Sequence, residues 1–153
     1  MRLACSIAVV ILATAAVTSA QRGSKAPADS RACSLLTKED AVAALGEGVT
    51  GPEASAVPDG ASSCEYSGSG LHVVHLNLMP FTASTAAMYK MMCAKKTKDG
   101  LTGLGDTTCW YNEKHGELQV LKGTSFFSIQ MRRSGDPTEP IKAVARKVYE
   151  RLK

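Results

Sequence analysis

Four cysteines are spread along the chain after its apolar N-terminal segment, and they limit what this part of the chain can fold into. They are Cys33, Cys64, Cys93 and Cys109, while a fifth, Cys5, lies within the apolar segment. An even number of cysteines in an exported chain indicates two disulfides, for which three connectivities are possible. The favoured pairing joins Cys33 to Cys64 and Cys93 to Cys109, because each bond then links the nearest pair of predicted elements.

The N-terminal segment indicates export. Arg2 is followed by an uncharged apolar run over residues 3–17 and then by small residues up to Ala20. This arrangement predicts a signal peptide over residues 1–20, because the apolar run is too short for a comfortable membrane span. Cys5 precedes the apolar core instead of following it, so no lipid anchor is predicted. The mature protein is expected to be secreted or periplasmic, with no stable membrane span.

Cleavage leaves enough chain for one domain with a modest core. Residues 21–32 are polar and aperiodic and are predicted to form a flexible leader, so the single domain is assigned to residues 33–153. The whole chain has 18 basic and 14 acidic residues, and loss of Arg2 with the signal peptide leaves 17 against 14, a formal charge of +3. This mild excess does not indicate a nucleic-acid partner.

Hydrophobic periodicity and capping residues predict three helices. The first begins after the N-cap Thr37 and ends at Gly46, and the second runs from Thr82 or Ser84 to Gly100. The third, in the C-terminal segment, is the most clearly amphipathic. Its apolar stripe consists of Ile141, Val144, Ala145, Val148 and Leu152.

Alternating apolar residues predict about five strands. Two lie in SCEYSGSGLHVVHLNLMPF around a Ser-Gly turn, and three lie in TTCWYN, ELQVLKG and SFFSIQMRR. The segment EGVTGPEASAVPDGAS is predicted to be a loop, because two prolines and three glycines interrupt it. The order α-β-β-α-β-β-β-α, with hairpin-length connections, predicts an α+β domain. Its antiparallel sheet should carry helices mainly on one face.

The stretch GLGDTTCWY, residues 103–111, has three interpretations: a phosphate-binding loop, a redox site or a strand entry held by a disulfide. A phosphate-binding loop leaves a strand and opens a helix, whereas this one follows a Lys-rich helix and enters a strand. A redox pair has the spacing Cys-x-x-Cys, which the chain lacks. The strand entry is therefore favoured, with Trp110 and Tyr111 pointing to opposite faces of the sheet.

The histidines do not predict a catalytic or metal site. His72 and His75 lie three positions apart on a strand and should face opposite sides, and His115 falls in a predicted turn. No nucleophile elbow or paired-acid signature accompanies them. The sequence therefore predicts no catalytic residue, no metal and no cofactor.

One sheet face is the candidate ligand site. Val74, Leu76 and Leu78 form the apolar side of their strand and are expected to meet the last two helices. The opposite side mixes apolar area with isolated polar groups, which suits small-molecule recognition. This possible groove comprises Val73, His75, Asn77 and Met79, flanked by either Trp110 or Tyr111. The alternative is a face that is merely half-solvated, as is common in antiparallel sheets.

Several segments resemble those of small exported bacterial domains: ACSLLTKEDAVAALG, a later CEY, GLGDTTCWY, LQVLKGTSFFSIQM and a closing basic helix. Over most of residues 32–153 the chain is similar to exported lipoproteins of unknown function and to extracellular sensor domains of bacterial Ser/Thr kinases. The resemblance implies a compact α+β fold and a Cys33–Cys64 disulfide, and it transfers no catalytic residue. The chain has no lipobox cysteine and no kinase segment, so sensing through an attached kinase is not expected.

These observations favour a non-enzymatic exported binding or accessory module of the cell envelope. One alternative is an enzyme of undetected type that uses His75 or another polar group of the sheet face. Another is an interaction protein whose basic last helix, with Arg132 and Arg133, contacts an anionic envelope component. A cavity lined by a histidine and a carboxylate would favour the enzyme, an apolar groove would favour ligand binding, and a flat basic face would favour the interaction protein.

Overall fold

The computed structural model describes residues 30–56, 58–96 and 102–153. The predicted signal peptide and most of the predicted leader lie outside the described residues, as does Gly100. The second predicted helix is shorter than expected, because it ends at Cys93 and residues 94–96 form a turn and a bend. The helices are α1 (Arg31–Leu35), α2 (Lys38–Leu45), α3 (Ala83–Cys93) and α4 (Thr138–Arg151). The strands are β1 (Thr50–Ala56), β2 (Ser62–Ser67), β3 (Val73–Pro80), β4 (Thr107–Trp110), β5 (Glu117–Lys122) and β6 (Ser125–Arg132).

The described strands form one antiparallel sheet in the order β1-β2-β3-β6-β5-β4, which confirms the predicted α+β class. The predicted number of strands was wrong, because the sheet has six strands and not five. The additional strand, β1, lies in the segment predicted to be a loop. It pairs with β2 at the edge of the sheet, with an irregular register between Thr50 and Glu53. Pro52, which has no N–H to donate, is tolerated at such an edge.

The described fold begins before the predicted domain start. Helix α1 is a fourth helix among the described residues, where three helices were predicted. It includes Arg31 and Ala32, which were expected to belong to the leader. Ser30 caps this helix by accepting a hydrogen bond from the backbone N–H of Cys33, and its hydroxyl donates to the carbonyl oxygen of Ser63. Ala32 is fully buried. These contacts attach the end of the predicted leader to β2.

Helices α1, α2 and α4 cover one face of the sheet, which we call the covered face. The predicted apolar side of β3 and the predicted stripe of α4 both belong to this core, so both predictions are confirmed. The neighbouring strands add alternate apolar residues to the same core: Trp110, Leu118, Val120, Phe127, Ile129 and Met131. The cap of α2 at Thr37 and its end at Gly46 are also as predicted.

Helix α3 packs on the opposite face, which we call the open face. Its buried residues Ala86, Tyr89 and Cys93 contact a separate cluster that includes Cys109, Leu121 and Phe126. The prediction that this helix would pack on Val74, Leu76 and Leu78 was wrong. Cys109 points away from its neighbour Trp110, which lies in the main core, so a bond between Cys93 and Cys109 requires α3 to lie on the open face.

Both disulfides follow the favoured pairing, which is confirmed. Cys33 and Cys64 have Cα atoms 5.0 Å apart, and Cys93 and Cys109 have Cα atoms 5.7 Å apart. The two bonds are compatible with an oxidising compartment. Among the residues that the structure describes, no helix has the length and apolar character needed to cross a bilayer.

Candidate functional site

The strand register arranges the polar residues of the open face in two rows that run across the sheet. Residues directly opposite each other on adjacent strands have Cβ atoms about 4.5–5.5 Å apart, so each row is a continuous line of neighbouring side chains. The first row contains Glu53, Glu65, His75, Gln130 and Glu117. The second row contains Ser55, Ser63, Asn77, Ser128 and Gln119.

A cavity of about 390 Å³ lies over the first row. Its floor is formed by Glu65, His75 and Gln130, and Tyr111 stands at its edge. A second cavity of about 220 Å³ extends toward β1 and shares Glu65 and His75 with the first. We call the two together the sheet groove. Since β2, β3 and β6 are adjacent inner strands, their backbone pairing holds the floor in place.

Two glutamates line the larger cavity, and they differ in their hydrogen bonding. Glu117 accepts a hydrogen bond from the amide of Gln119 at 3.0 Å on one oxygen and from the amide of Gln130 at 3.1 Å on the other. Both of its oxygens therefore have partners, and the contact orients the Gln130 amide. Glu65 has no such donor among the described residues. Of the two glutamates that line the larger cavity, it is the one that remains available to a ligand.

Tyr111 is held at the edge of the groove by Lys96, which lies three residues beyond the end of α3. The Lys96 Nζ lies 4.6 Å from the centroid of the Tyr111 ring and donates a hydrogen bond to the Tyr111 carbonyl oxygen at 3.2 Å. A cation over a ring face is attracted by the quadrupole of the ring. The ring is thus fixed on one side, while the side chain is still 54% exposed.

The structure brings together only part of the predicted groove. Val73, His75 and Tyr111 line the larger cavity. Asn77 and Met79 lie on the same face of β3 but further toward α3, and neither lines the sheet groove. Trp110 is on the covered face, where it is 1% exposed and stacks on the His115 ring with a centroid separation of 4.6 Å. Of the two aromatic candidates, it is Tyr111 that borders the groove.

The two other histidines have structural contacts. His72 Nε2 accepts a hydrogen bond from the backbone N–H of Ser134, and His115 Nδ1 lies 3.4 Å from the Thr138 hydroxyl. Within the described ranges, no three or more His, Cys, Asp or Glu side chains are grouped so that they could hold a metal ion.

The basic residues of α4 are divided among intramolecular contacts. Lys147 and Arg151 both bind Asp40 of α2, whose side chain is 2% exposed. Burial opposes ionisation of Asp40, but hydrogen bonds from Arg151 and Lys147 and from the Thr37 backbone outweigh it and lower its pKa to about 2. Lys142 pairs with Glu139. These contacts direct much of the basic stripe toward the protein, so it does not form a single outward-facing surface.

Seven residues that line the larger cavity were not predicted to belong to the groove: Glu65, Asn112, Gly116, Glu117, Gln130, Met131 and Arg132. Alternation along CEY and SFFSIQMRR would have placed Glu65, Gln130 and Arg132 on the face opposite the core. The pairing of β3 with β6 brings them beside His75, and this pairing skips two strands in the sequence. Periodicity within one strand carries no signal for such a neighbour.

Comparison with known proteins finds no matching family model, no matching curated protein and no matching solved structure.

Proposed function

We propose that this protein is an exported, non-enzymatic binding module whose sheet groove takes a small polar molecule. The observation that carries the proposal is the cavity of about 390 Å³ over the first polar row, continued by a second cavity of about 220 Å³. Ligand sites typically have volumes of about 300–1,000 Å³ and combine apolar area with a few placed polar groups.

The lining residues define the ligand chemistry. Glu65 accepts hydrogen bonds and carries a negative charge, so it favours a protonated amine or a hydroxyl group. The Gln130 amide, oriented by Glu117, offers both a donor and an acceptor. Val73 and Tyr111 supply apolar area at the sides. Two carboxylates, Glu65 and Glu117, and one guanidinium, Arg132, line this cavity, so its formal charge is negative. The combination favours a small amine or amino alcohol with a short apolar portion.

The test is a screen of small amines, amino alcohols and polyols against the mature protein, followed by amide chemical shifts. Binders should shift amides of β2, β3 and β6. Glu65→Gln should weaken amine binding about tenfold or more, because a charge-assisted hydrogen bond contributes about 1.5–3 kcal/mol. Glu150→Gln is the matched control, since Glu150 is an exposed glutamate on α4, and it should leave binding unchanged.

Two results would contradict the proposal. One is a screen in which no compound shifts the groove amides. The other is a set of binders that Glu65→Gln and His75→Ala bind as tightly as the parent protein does.

The presence of His75 and Glu65 in one cavity favours a second candidate, an enzyme that uses His75 as a general base. The two residues are directly opposite each other on β2 and β3, so both side chains can contact one bound molecule. Conversion of any groove ligand by the parent protein, lost in His75→Ala while binding persists, would support the enzyme. Binding without conversion would support the binding module.

A further inference from the structure

Three methionines stand together on the exposed side of α3. Met88, Met91 and Met92 are 52%, 66% and 52% exposed, respectively. They occupy positions i, i+3 and i+4 of one helix, so their side chains share a face. With Ala94 and Lys95 they line an open cavity of about 570 Å³. We call these three residues the methionine cluster.

The methionine cluster is not needed to pack α3. The opposite side of the helix already supplies the buried contacts to the sheet through Ala86, Tyr89 and Cys93. Exposed apolar side chains are common one at a time, whereas a contiguous exposed group marks a surface that interacts. The choice of methionine at all three positions then adds a chemical property that leucine would lack, a thioether sulfur.

Thioether sulfur is a soft ligand, and soft ligands favour Cu(I). The thiols of Cys33, Cys64, Cys93 and Cys109 are occupied in disulfides, so they do not compete for a soft metal. Methionine has three rotatable side-chain bonds, which allow neighbouring sulfurs on a helix to turn toward one ion. Three neutral sulfurs match a low coordination number and a single positive charge.

We propose that Met88, Met91 and Met92 form a binding site for Cu(I), with one thioether sulfur from each residue. This site is separate from the sheet groove and independent of the function proposed there. Because thioethers carry no proton that must be lost, Cu(I) binding should be the same at pH 5 as at pH 7. Sites built on imidazole or thiolate ligands weaken over that range. Lys95 places a positive charge at the rim, which limits the affinity.

The test is anaerobic titration of the mature protein with Cu(I) in competition with bicinchoninate, a chromophoric Cu(I) chelator. The expected result is one Cu(I) taken per chain, at both pH values. The triple variant Met88→Leu, Met91→Leu, Met92→Leu keeps the apolar area and removes the sulfurs. It should bind Cu(I) at least a hundredfold more weakly. Met79→Leu, at a partly exposed methionine outside the cluster, is the control and should match the parent.

A second measurement uses Ag(I), a soft ion that needs no reducing conditions, with the protein labelled at the methionine methyl carbons. Ag(I) should shift the methyl signals of Met88, Met91 and Met92 and leave those of Met79 and Met131 in place. Circular dichroism of the triple variant should match the parent, because the substituted side chains are exposed.

The competing explanation is an apolar docking surface for anionic lipid, since Lys90 and Lys95 flank the cluster. Vesicles of phosphatidylglycerol separate the two, because leucine serves lipid docking as well as methionine does. A triple variant that retains full Cu(I) affinity would overturn the proposal. So would a parent protein that binds the vesicles but takes no Cu(I) from the chelator.

Discussion

The two faces of the sheet are built from neighbouring residues of the same strands, yet over much of their area they differ in burial and polarity. On the covered face, Phe127 and Ile129 of β6 are fully buried beneath helices. On the open face, Ser128 and Gln130 of the same strand belong to the polar rows. On the covered face, apolar burial stabilises the fold. On the open face, the backbone of the sheet positions the polar side chains of the first row, and the sheet does not need these side chains in order to form. The side chains of the first polar row can therefore change with little effect on stability.

One end of the open face departs from this division. There Phe126 stacks on Phe81 with ring centroids 4.7 Å apart, and Tyr89 of α3 meets Phe126 edge to face. Burial raises the pKa of the Tyr89 phenol, which lies 3.5 Å from the sulfur of Cys109. This small second core attaches α3, and through Lys96 it fixes the Tyr111 edge of the groove. Substitutions in the two cores should therefore differ in how much they destabilise the protein and in which helix they expose.

The largest loss of unfolding free energy should come from a substitution on the covered face of β6, and an adjacent substitution on the open face is its matched comparison. Ile129→Ala removes a fully buried side chain from the main core and should lower the free energy of unfolding by about 2–5 kcal/mol. Gln130→Ala, one residue further on the open face, should lower it by less than about 1 kcal/mol, since only a side-chain hydrogen bond is lost. Urea unfolding measures both. Equal losses would contradict the division between the two faces.

The second largest loss of unfolding free energy should follow removal of the Cys93–Cys109 disulfide. The chain-entropy relation gives about 3 kcal/mol for a loop of this length, so Cys93→Ser with Cys109→Ser should destabilise the protein by that order. Because α3 buries few residues, amide exchange should accelerate first in α3 and much less in α4. The matched variant, Cys33→Ser with Cys64→Ser, removes a bond from the main core side and should leave α3 protected. Uniform acceleration in both variants would show that there is one cooperative core.

Substitution of Asp40, the buried carboxylate of α2, should lower the free energy of unfolding by a smaller amount. Asp40→Ala removes the partner of Lys147 and Arg151 and should lower the free energy of unfolding by about 2 kcal/mol. The loss is below that of a fully buried pair because both basic side chains can still reach water. Glu39→Ala is the control, an exposed carboxylate in the same first turn. It should cost less than about 1 kcal/mol.

The smallest effect is the acid dependence that Asp40 contributes. Its pKa is about 2 in the folded protein against an ordinary value of 3.8. A depressed acid pKa stabilises the folded state above the ordinary value, and the stabilisation disappears as the pH falls toward 2. The contribution is at most about 2 kcal/mol. The unfolding free energy of the parent should therefore fall more steeply between pH 5 and pH 2 than that of Asp40→Ala. Parallel curves would contradict this role.

Local signals in the sequence were sufficient for several elements. Thr37 and Gly46 bound α2 through side-chain capping and a positive φ of 92° at the glycine, both short-range effects. The alternation in β3 identified its core side for the same reason. Strand β1 was missed because it is mostly exposed and contains Pro52, so it carries no apolar alternation. Its existence depends on pairing with β2.

The sequence by itself determined the disulfide-linked α+β architecture, the stripe of α4 and the residues of β3 that enter the core. These follow from periodicity, capping and cysteine spacing, each of which acts over a few residues or between neighbouring elements. Tertiary structure alone decided that α3 lies on the open face, that β3 pairs with β6, and that Glu65 and Gln130 meet at His75. Pairing between strands that are distant in the chain depends on the packing of the whole sheet. The residue pattern of a single segment does not specify it.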